Sequence, residues 1–239
     1  MKVLRMAWCI PHIIVATFVM GGLTILTAAL DHSKRYIGWW PRRWAKWILW
    51  TSGLSISVKG LEHLQPGQQY IFMSNHASAL DIPIALSILP GTVVFLAKQE
   101  LFRIFFFGWS LRAMGSIPVN RSNAKEAKKS VDHALEILRT KLISLILYPE
   151  GTRTRDGRLL PFKKGVFFLA LKSRLPLVPM AVSGSFEAMP PGAKVMTQKH
   201  IQVTVGQPIE TVGLKDQDRN SLVQDAFTSI QGLLDGPFD

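Results

Sequence analysis

The segment from Met6 to Leu30 constrains the fold most, because its 25 consecutive residues include no Asp, Glu, Lys or Arg. As a helix rising about 1.5 Å per residue, it is long enough to cross the hydrocarbon core of a bilayer. Lys2 and Arg5 would also suit a secretory signal peptide, but the run is longer than a usual signal-peptide core and Thr27-Ala28-Ala29 is a poor cleavage site. We therefore predict a retained membrane segment, which either spans the bilayer or, if Gly21-Gly22 breaks the helix, is half embedded.

The next segment concentrates aromatic and basic side chains, with five of the seven Trp residues between positions 39 and 50. On a helix Trp40, Trp44 and Trp47 share one stripe, and the basic residues fall around the opposite side, namely Arg42, Arg43 and Lys46. Indole rings favour the headgroup zone and cations favour lipid phosphates. The pattern thus predicts an interfacial helix rather than an ordinary amphipathic core helix.

The net charge of +12 is concentrated in two blocks, residues 1–60 with eight bases against one acid and residues 121–180 with thirteen against five. Such blocks attract the phosphates of nucleic acids, lipid headgroups or small ligands. Five bases follow the apolar run and outweigh the two that precede it: Lys34, Arg35, Arg42, Arg43 and Lys46. By the positive-inside rule, the rest of the protein lies on the cytoplasmic side of the membrane.

The remainder of the chain has the pattern of an α/β domain. An apolar share of 48% excludes a disordered chain, and the single Cys9 excludes a disulfide scaffold or a cysteine-based zinc cluster. Strand patterns alternate with helix patterns, which predicts a mixed, largely buried sheet flanked by helices and preceded by the membrane-associated helical pair. The predicted strands are 55–58, 70–73, 92–96, 143–147, 177–182 and 201–205, and the predicted helices begin at 81 or cover 122–142, 165–172 and 221–234. We place the domain boundary between residues 1–58 and 59–239.

Two short blocks carry residues suited to chemistry. His76 follows a predicted strand, and Asp81 follows at a predicted helix start as the expected N-cap. A turn that joins the Asp81 carboxylate to one ring nitrogen would leave the other nitrogen as a base for a substrate hydroxyl, although this spacing also suits a structural histidine. After the buried strand at 143–147, Gly151 allows close backbone approach and Arg153 offers a planar fork for a phosphate, or the block is simply a solvated turn.

Four blocks, taken in order, resemble the motifs of the glycerolipid acyltransferases, above all the bacterial 1-acylglycerol-3-phosphate (lysophosphatidic acid) acyltransferases. They are Asn75-His76-x-Ser78-x-x-Asp81, Gly115 to Arg121, Pro149-Glu150-Gly151-Thr152-Arg153 and Val178-Pro179. The resemblance implies transfer of an acyl chain from acyl-CoA or acyl carrier protein to the sn-2 hydroxyl of 1-acylglycerol-3-phosphate. It implies no cofactor, and a catalytic domain on the cytoplasmic side of a bacterial inner membrane.

The resemblance also assigns roles to residues. His76 is the implied general base and Asp81 its partner. Substrate binding is implied for Lys98, Arg121, Glu150, Gly151, Thr152 and Arg153. Ala77, Asn120 and Tyr148 replace the family's frequent Gln, Asp and Phe, and these departures leave the choice of acceptor and chain length open. The apolar run from Leu101 to Trp109 fits an acyl channel, a segment that dips into lipid, or core packing equally well.

Other functions fit the sequence less well. Another lysophospholipid or an ornithine-type lysolipid as acceptor stays open. The charge alone would suit a membrane-associated nucleic-acid binder, but no recognition module is evident, so we predict no nucleic-acid partner. Ser183-Gly184-Ser185 does not match the nucleophile elbow of a serine hydrolase. The six His residues show no metal-ligand spacing, so we predict no metal site.

Overall fold

The computed structural model describes residues 2–31, 38–120, 124–193, 196–197 and 200–237. Within these ranges the helices are α1 (Lys2–Leu30), α2 (Trp39–Ser52), α3 (Asp81–Ile88), α4 (Phe107–Ala113), α5 (Ala124–Thr140), α6 (Phe167–Ser173), α7 (Ser185–Ala188) and α8 (Arg219–Leu234). The strands are β1 (Ser55–Lys59), β2 (Ile71–Ser74), β3 (Val93–Lys98), β4 (Ile117–Val119), β5 (Ser144–Leu147), β6 (Leu177–Ser183) and β7 (His200–Val205). Arg121, Lys34, Arg35 and the predicted helix start at Ser122 lie outside the described residues.

The seven strands form one sheet in the order β1-β7-β6-β2-β5-β3-β4. Neighbouring strands are parallel except β6 and β7, which run antiparallel, so the predicted mixed sheet is confirmed. The sequence did not predict β4 or α4. The three residues of β4 include Pro118, which only an edge strand accommodates readily. Helix α4 begins within the apolar run from Leu101 to Trp109, which has no clear helical period.

The sheet is buried on both faces, as predicted. Phe72 of β2 packs into a core formed with α2 and α3, whereas its neighbours Ile71 and Met73 pack into a second core with α5, α6 and α8. All four residues of β2 and all four of β5 are buried. The sequences of such central strands are continuous apolar runs, because neither face of the sheet is exposed to water.

Helix α1 is long and apolar enough, from Ala7 to Leu30, to cross a membrane by length and composition. It continues through Gly21-Gly22, so the predicted possibility of a helix break there is wrong. A Cβ atom on Gly21 would lie 2.6 Å from Ser110 Oγ, which shows that this glycine allows α4 to pack closely against α1. Many large apolar side chains of α1 face outward, for example Phe18 and Leu30.

Helix α2 differs from its sequence-based prediction in which face is exposed. Trp44 and Trp47 are half-buried, and the exposed stripe instead consists of Trp39, Arg43, Lys46 and Trp50. The guanidinium of Arg43 lies 4.5 Å from the ring centroid of Trp39. The Arg42 guanidinium turns inward and donates hydrogen bonds to the carbonyls of Leu89 (2.5 Å) and Gly91 (2.7 Å). Tertiary packing against α3 therefore takes one cation of the predicted basic face into the protein.

The domain boundary predicted at residue 58 falls inside β1, which pairs with β7 over its whole length. The helical pair itself ends at Ser52 of α2. It packs onto the rest of the protein, α2 against α3 and α1 against α4. The division into two domains stays a prediction.

Candidate active site

The candidate site lies where three neighbouring parallel strands end. The order β2-β5-β3 places their carboxyl ends side by side. His76 follows β2, the residues from Tyr148 to Arg153 follow β5, and Lys98 is the last residue of β3. Loops at the carboxyl ends of parallel strands converge on one edge of a sheet, where α/β proteins bind their ligands. The fold thus brings together the described members of the predicted site, although up to 77 positions separate them in the chain.

His76 and Asp81 form the predicted pair. His76 Nδ1 lies 2.8 Å from Asp81 Oδ2, and the same oxygen accepts hydrogen bonds from the backbone amides of Ala77 (2.8 Å) and Ser78 (2.9 Å). The Asp81 side chain is fully buried. These bonds hold the imidazole in one orientation and leave Nε2 as the nitrogen that can take a proton.

The helix start at Asp81 differs from the prediction. Asp81 is the first residue of α3, and the N-cap position belongs to Leu80, which makes no side-chain capping bond. The Asp81 carboxylate binds the turn before the helix rather than the helix amides. This arrangement directs its charge toward the imidazole, which is what a positioning carboxylate requires.

The loop after β5 holds the backbone of His76 from both sides. Glu150 Oε1 accepts a hydrogen bond from the His76 amide at 2.6 Å, and Glu150 Oε2 accepts one from the Leu160 amide at 2.9 Å. The Thr154 amide donates to the His76 carbonyl at 2.9 Å. Both carboxylate oxygens of Glu150 therefore bind backbone amides, and its predicted contact with substrate stays a prediction.

Burial also changes the acidity of Glu150. Desolvation raises the pKa of this carboxyl to about 7, although the two amide hydrogen bonds favour the charged form. The negative charge of Asp81 adds a smaller effect in the same direction as burial. Glu150 thus titrates near neutral pH inside the clamp that holds His76.

An apolar cavity of about 510 Å³ adjoins the pair. Residues of α1, α2, α3, β3 and α4 line it, together with the side chains of His76, Lys98, Tyr148 and Arg153. Within the run that the sequence left open, Leu101 and Phe107 line this cavity, while Phe102 is buried in the core. Ile104, Phe105 and Trp109 face outward instead, Phe105 with 77% of its surface exposed. The run is thus divided between cavity wall, core and exposed surface, and its roles as an acyl channel and as a segment that dips into lipid stay predictions.

Tyr148 faces the same cavity and contacts the histidine. Its ring stacks on the His76 imidazole, with centroids 4.2 Å apart and planes 25° apart. The Tyr148 hydroxyl oxygen is buried and makes no hydrogen bond within the part of the chain that the structure describes. Burial, and to a smaller extent the charge of Asp81, raises the pKa of this phenol well above its usual value. The hydroxyl therefore stays protonated and remains a hydrogen-bond donor.

Cationic and backbone groups form the outer part of the site. Thr152 and Arg153 are exposed, and Lys98 pairs with Glu100 (Nζ to Oε1, 3.3 Å) at the surface. Gly151 has a φ of +71°, and a Cβ atom there would lie 2.8 Å from Lys163 Nζ. Lys163 thus lies across the Gly151 turn, a cation that the sequence analysis missed, although the pair Lys163-Lys164 follows the motif closely.

The comparison with known families decides where this chain belongs. The family model of the acyltransferases matches residues 55–183, a segment that contains the site residues His76, Asp81, Lys98 and those from Glu150 to Arg153. The chain belongs to the acyltransferase family. This confirms the family predicted from the four motifs.

Three relatives of this acyltransferase, from two plants and one animal, are named as 1-acyl-sn-glycerol-3-phosphate acyltransferases. A 1-acyl-sn-glycerol-3-phosphate acyltransferase of Limnanthes douglasii is 38% identical over 164 residues, 69% of this chain and 58% of its own. A protein of that name from Cocos nucifera is 30% identical over 94% of this chain and 72% of its own. The alpha enzyme of Homo sapiens is 33% identical over 72% of this chain and 60% of its own. The chain spans less than two thirds of the Limnanthes and human proteins.

The fold of this family member also has a counterpart among solved structures. The crystal structure of the 1-acyl-sn-glycerophosphate (LPA) acyltransferase PlsC from Thermotoga maritima matches with a TM-score of 0.84. The match covers 100% of this chain and 98% of that one, at 22% sequence identity. This likeness establishes the fold, including the helical pair before the sheet.

Proposed function

We propose that the protein transfers a fatty acyl chain from an acyl thioester to the sn-2 hydroxyl of 1-acylglycerol-3-phosphate and so forms phosphatidic acid. The observation that carries this proposal is the hydrogen bond between His76 Nδ1 and Asp81 Oδ2 at the wall of a large apolar cavity. The names of the relatives from Limnanthes, Cocos and Homo sapiens support the choice of acceptor.

The reaction we propose is direct transfer with His76 as general base. Nε2 removes the proton of the acceptor hydroxyl while its oxygen attacks the thioester carbonyl carbon, so a C–O bond forms and negative charge develops on the carbonyl oxygen. When this intermediate collapses, the C–S bond breaks and the thiolate takes the proton from the imidazolium. Asp81, fully buried and bonded to Nδ1, stabilises the charged imidazolium between these steps. The step needs no cofactor.

The cavity suits the fatty chain. Most of its lining is apolar, contributed by α1, α2, α3, β3 and α4. Transfer of each methylene group from water into such surroundings contributes about 0.8 kcal/mol. The chain would extend from His76 into this space, with its carbonyl at the histidine.

The acceptor phosphate would lie at the exposed side of the site. Arg153 and Lys98 line the cavity beside His76, and Lys163 lies across Gly151. A guanidinium can bind a phosphate through two parallel hydrogen bonds, and an ammonium acts as a point charge. Arg121, outside the described residues, and Thr152 complete the proposed phosphate site. Glu150 would act by holding His76.

We place the protein at the cytoplasmic side of a membrane, in bacteria the inner membrane, where a lysolipid resides. The outward apolar side chains of α1 continue onto Ile104 and Phe105, which precede α4, and onto Trp109 of α4. Phe18 of α1 and Phe106 contact each other, with ring centroids 4.8 Å apart, so these surfaces adjoin. The stripe of Trp39, Arg43, Lys46 and Trp50 supplies the aromatic and basic groups that interfacial helices use.

A transfer assay tests the function. The full chain in detergent is given labelled lysophosphatidic acid with acyl-CoA or acyl carrier protein thioester, and the product is identified by mass. We expect phosphatidic acid with at least one donor, no product from His76→Ala, and full activity from His133→Ala, which changes an exposed histidine on α5. If the enzyme acylates another lysophospholipid or an ornithine-type lysolipid instead, that lipid is the acceptor and the proposal of lysophosphatidic acid is wrong. Absence of transfer to every acceptor would contradict the proposed function.

A further inference from the structure

His76 lies in a turn that begins where β2 leaves the sheet. Strand β2 pairs in parallel with β6 as far as its last residue, Ser74, which lies opposite Met180. Strand β6 continues beyond this point to Ser183. The peptide groups of β6 that face the end of β2 are buried and need hydrogen-bond partners other than a backbone neighbour.

The side chain of Asn75 supplies such partners. Its Oδ1 accepts a hydrogen bond from the Val182 amide at 2.8 Å, and its Nδ2 donates one to the Val182 carbonyl at 3.0 Å. These two partners also fix which end of the carboxamide is oxygen, because a backbone amide only donates and a carbonyl only accepts. Asn75 therefore extends the pairing of β2 with β6 through its side chain, while its backbone turns out of the sheet.

A second anchor holds the turn after His76. Ser78 is fully buried, and its Oγ donates a hydrogen bond to the Met189 carbonyl at 2.7 Å. Val182 near the end of β6 and Met189 after α7 belong to one continuous segment of the chain. The turn is thus attached to this segment twice, by Asn75 before the histidine and by Ser78 after it.

The two strands that flank β2 hold the turn from opposite sides. Strand β2 lies between β5 and β6 in the sheet. From the β5 side, Glu150 accepts a hydrogen bond from the His76 amide, and the Thr154 amide donates one to the His76 carbonyl. From the β6 side, Asn75 fixes the residue that leads into the turn. A displacement of about 1 Å at a reacting group can lower a rate about 10²-fold, so this anchoring bears on catalysis.

We propose that Asn75 is a positioning residue for the acyl transfer, and that its carboxamide locks the entry of the His76 turn onto β6. This assignment rests on the proposed function. Both ends of the carboxamide bind the backbone of Val182, so Asn75 acts through the placement of the imidazole. Its loss should lower the rate of the chemical step and leave the binding of both substrates unchanged.

The first test compares the kinetics of Asn75→Ala and Thr211→Val in the full chain in detergent. Thr211 is also fully buried, and it donates one hydrogen bond to the Leu175 carbonyl (2.9 Å) just before β6 begins, far along that strand from Val182. Thr211→Val therefore removes a buried hydrogen bond without affecting the turn. We expect kcat of Asn75→Ala to fall about 10- to 100-fold with both KM values unchanged, and kcat of Thr211→Val to equal that of the wild type.

Three kinetic results would overturn the assignment. They are an unchanged kcat in Asn75→Ala, an effect of this substitution confined to either KM, and an equal loss of kcat in Thr211→Val. If Asn75→Ala does not fold, Asn75→Asp takes its place. This variant keeps an acceptor for the Val182 amide and removes the donor to the Val182 carbonyl, and kcat should again fall with both KM values unchanged.

A spectroscopic test examines the imidazole directly. The proton that His76 Nδ1 donates to Asp81 should give a downfield NMR signal in protein labelled with 15N-histidine, and its absence from His76→Ala assigns it. We expect Asn75→Ala to shift or broaden this signal, and Thr211→Val to leave it unchanged, at a temperature at which both variants are folded. An unchanged signal in Asn75→Ala would overturn the assignment.

Wild-type activity distinguishes failure of the proposed function from failure of this assignment. If the wild-type chain transfers no acyl group, the proposed function fails, and the NMR signal alone decides whether Asn75 holds the imidazole. If the wild type is active and Asn75→Ala matches it in kcat, only the role of Asn75 fails.

Discussion

His76, Asp81 and Glu150 lie in the inner half of the site, whereas Lys98 and Arg153 lie in the outer half. The Asp81 side chain is fully buried, and it accepts three hydrogen bonds that orient the turn and the imidazole. The side chains of Lys98 and Glu100 are each 59% exposed and meet only in a surface ion pair. One half of the site is thus held by short bonds away from water, and the other consists of charges in solvent.

This difference predicts two kinds of mutational effect. Groups in the inner half act through geometry, so changing them should lower kcat. Groups in the outer half act through charge that water and salt screen, so changing them should raise the acceptor KM. The four predictions below test that division, beginning with the largest effect.

The His76→Ala variant should lose at least about 10³-fold in kcat, because no other described side chain is placed to remove the hydroxyl proton. Lysolipid binding, measured with vesicles that contain labelled lysophosphatidic acid, should persist. His133→Ala is the matched control. A His76→Ala rate within a few fold of wild type would show that His76 is not the general base. It would also contradict the predicted difference between the inner and outer halves of the site.

Asp81→Asn should lower kcat by roughly 10²-fold, because the amide cannot stabilise the imidazolium as a carboxylate does. The amide NH2 would take the position of Asp81 Oδ1, which is buried and has no hydrogen-bond partner within the described residues, so the free energy of unfolding should fall by about 1–3 kcal/mol. Steady-state kinetics and chemical denaturation measure the two effects. An unchanged rate would show that His76 works without its carboxylate.

Glu150 should make stability depend on pH. Its pKa rises from an ordinary value of 4.5 to about 7 on folding, so the folded state holds this proton more tightly than the unfolded state. Its contribution to stability is therefore fully present below pH 4.5 and is lost as pH rises through about 7. This contribution to the free energy of unfolding is on the order of 3 kcal/mol.

The Glu150→Gln variant tests this linkage, since a neutral amide does not titrate. The free energies of unfolding of both proteins, measured between pH 4.5 and pH 8, should be closest at the acid end. Toward the alkaline end they should diverge, because the wild type loses stability and the Glu150→Gln variant does not. The kcat of the variant should fall about 10-fold, because one amide partner of the clamp changes its geometry. Parallel pH curves for the two proteins would contradict the raised pKa.

Arg153→Ala should have the smallest effect on kcat and should raise the acceptor KM about 10-fold, through loss of a phosphate contact. The increase should shrink at high salt, because exposed charges are screened. Arg155→Ala, an exposed arginine two residues further on that does not line the cavity, is the matched control. A rise only in the thioester KM would show that Arg153 binds the acyl donor rather than the acceptor.

Local patterns in the chain predicted a large part of this molecule. The uncharged run from Met6 to Leu30, the buried strand at 143–147 and the His76–Asp81 spacing each depend on residues close together in sequence, and all three have the expected counterparts in the structure. Hydrophobic period and turn residues suffice for such features because neighbours along the chain determine them.

Features that depend on distant residues were mispredicted or missed. Arg42 turns toward the carbonyls of Leu89 and Gly91, which are 47 and 49 positions away, so the helical pattern of α2 alone could not place it. Glu150 binds the amide of His76 across 74 positions. Helix α4 begins within an apolar run whose periodicity is weak, and it packs against α1, a contact that local pattern does not reveal.

The chain alone was enough to show an apolar N-terminal helix, an α/β sheet and a histidine paired with a carboxylate, since these follow from composition, period and short spacing. Three-dimensional packing alone established the cavity between five elements, the clamp on His76 and the burial of the Tyr148 hydroxyl. The physical reason is that burial and hydrogen-bond satisfaction depend on which surfaces of the folded chain pack together. Local sequence patterns do not show which surfaces these are.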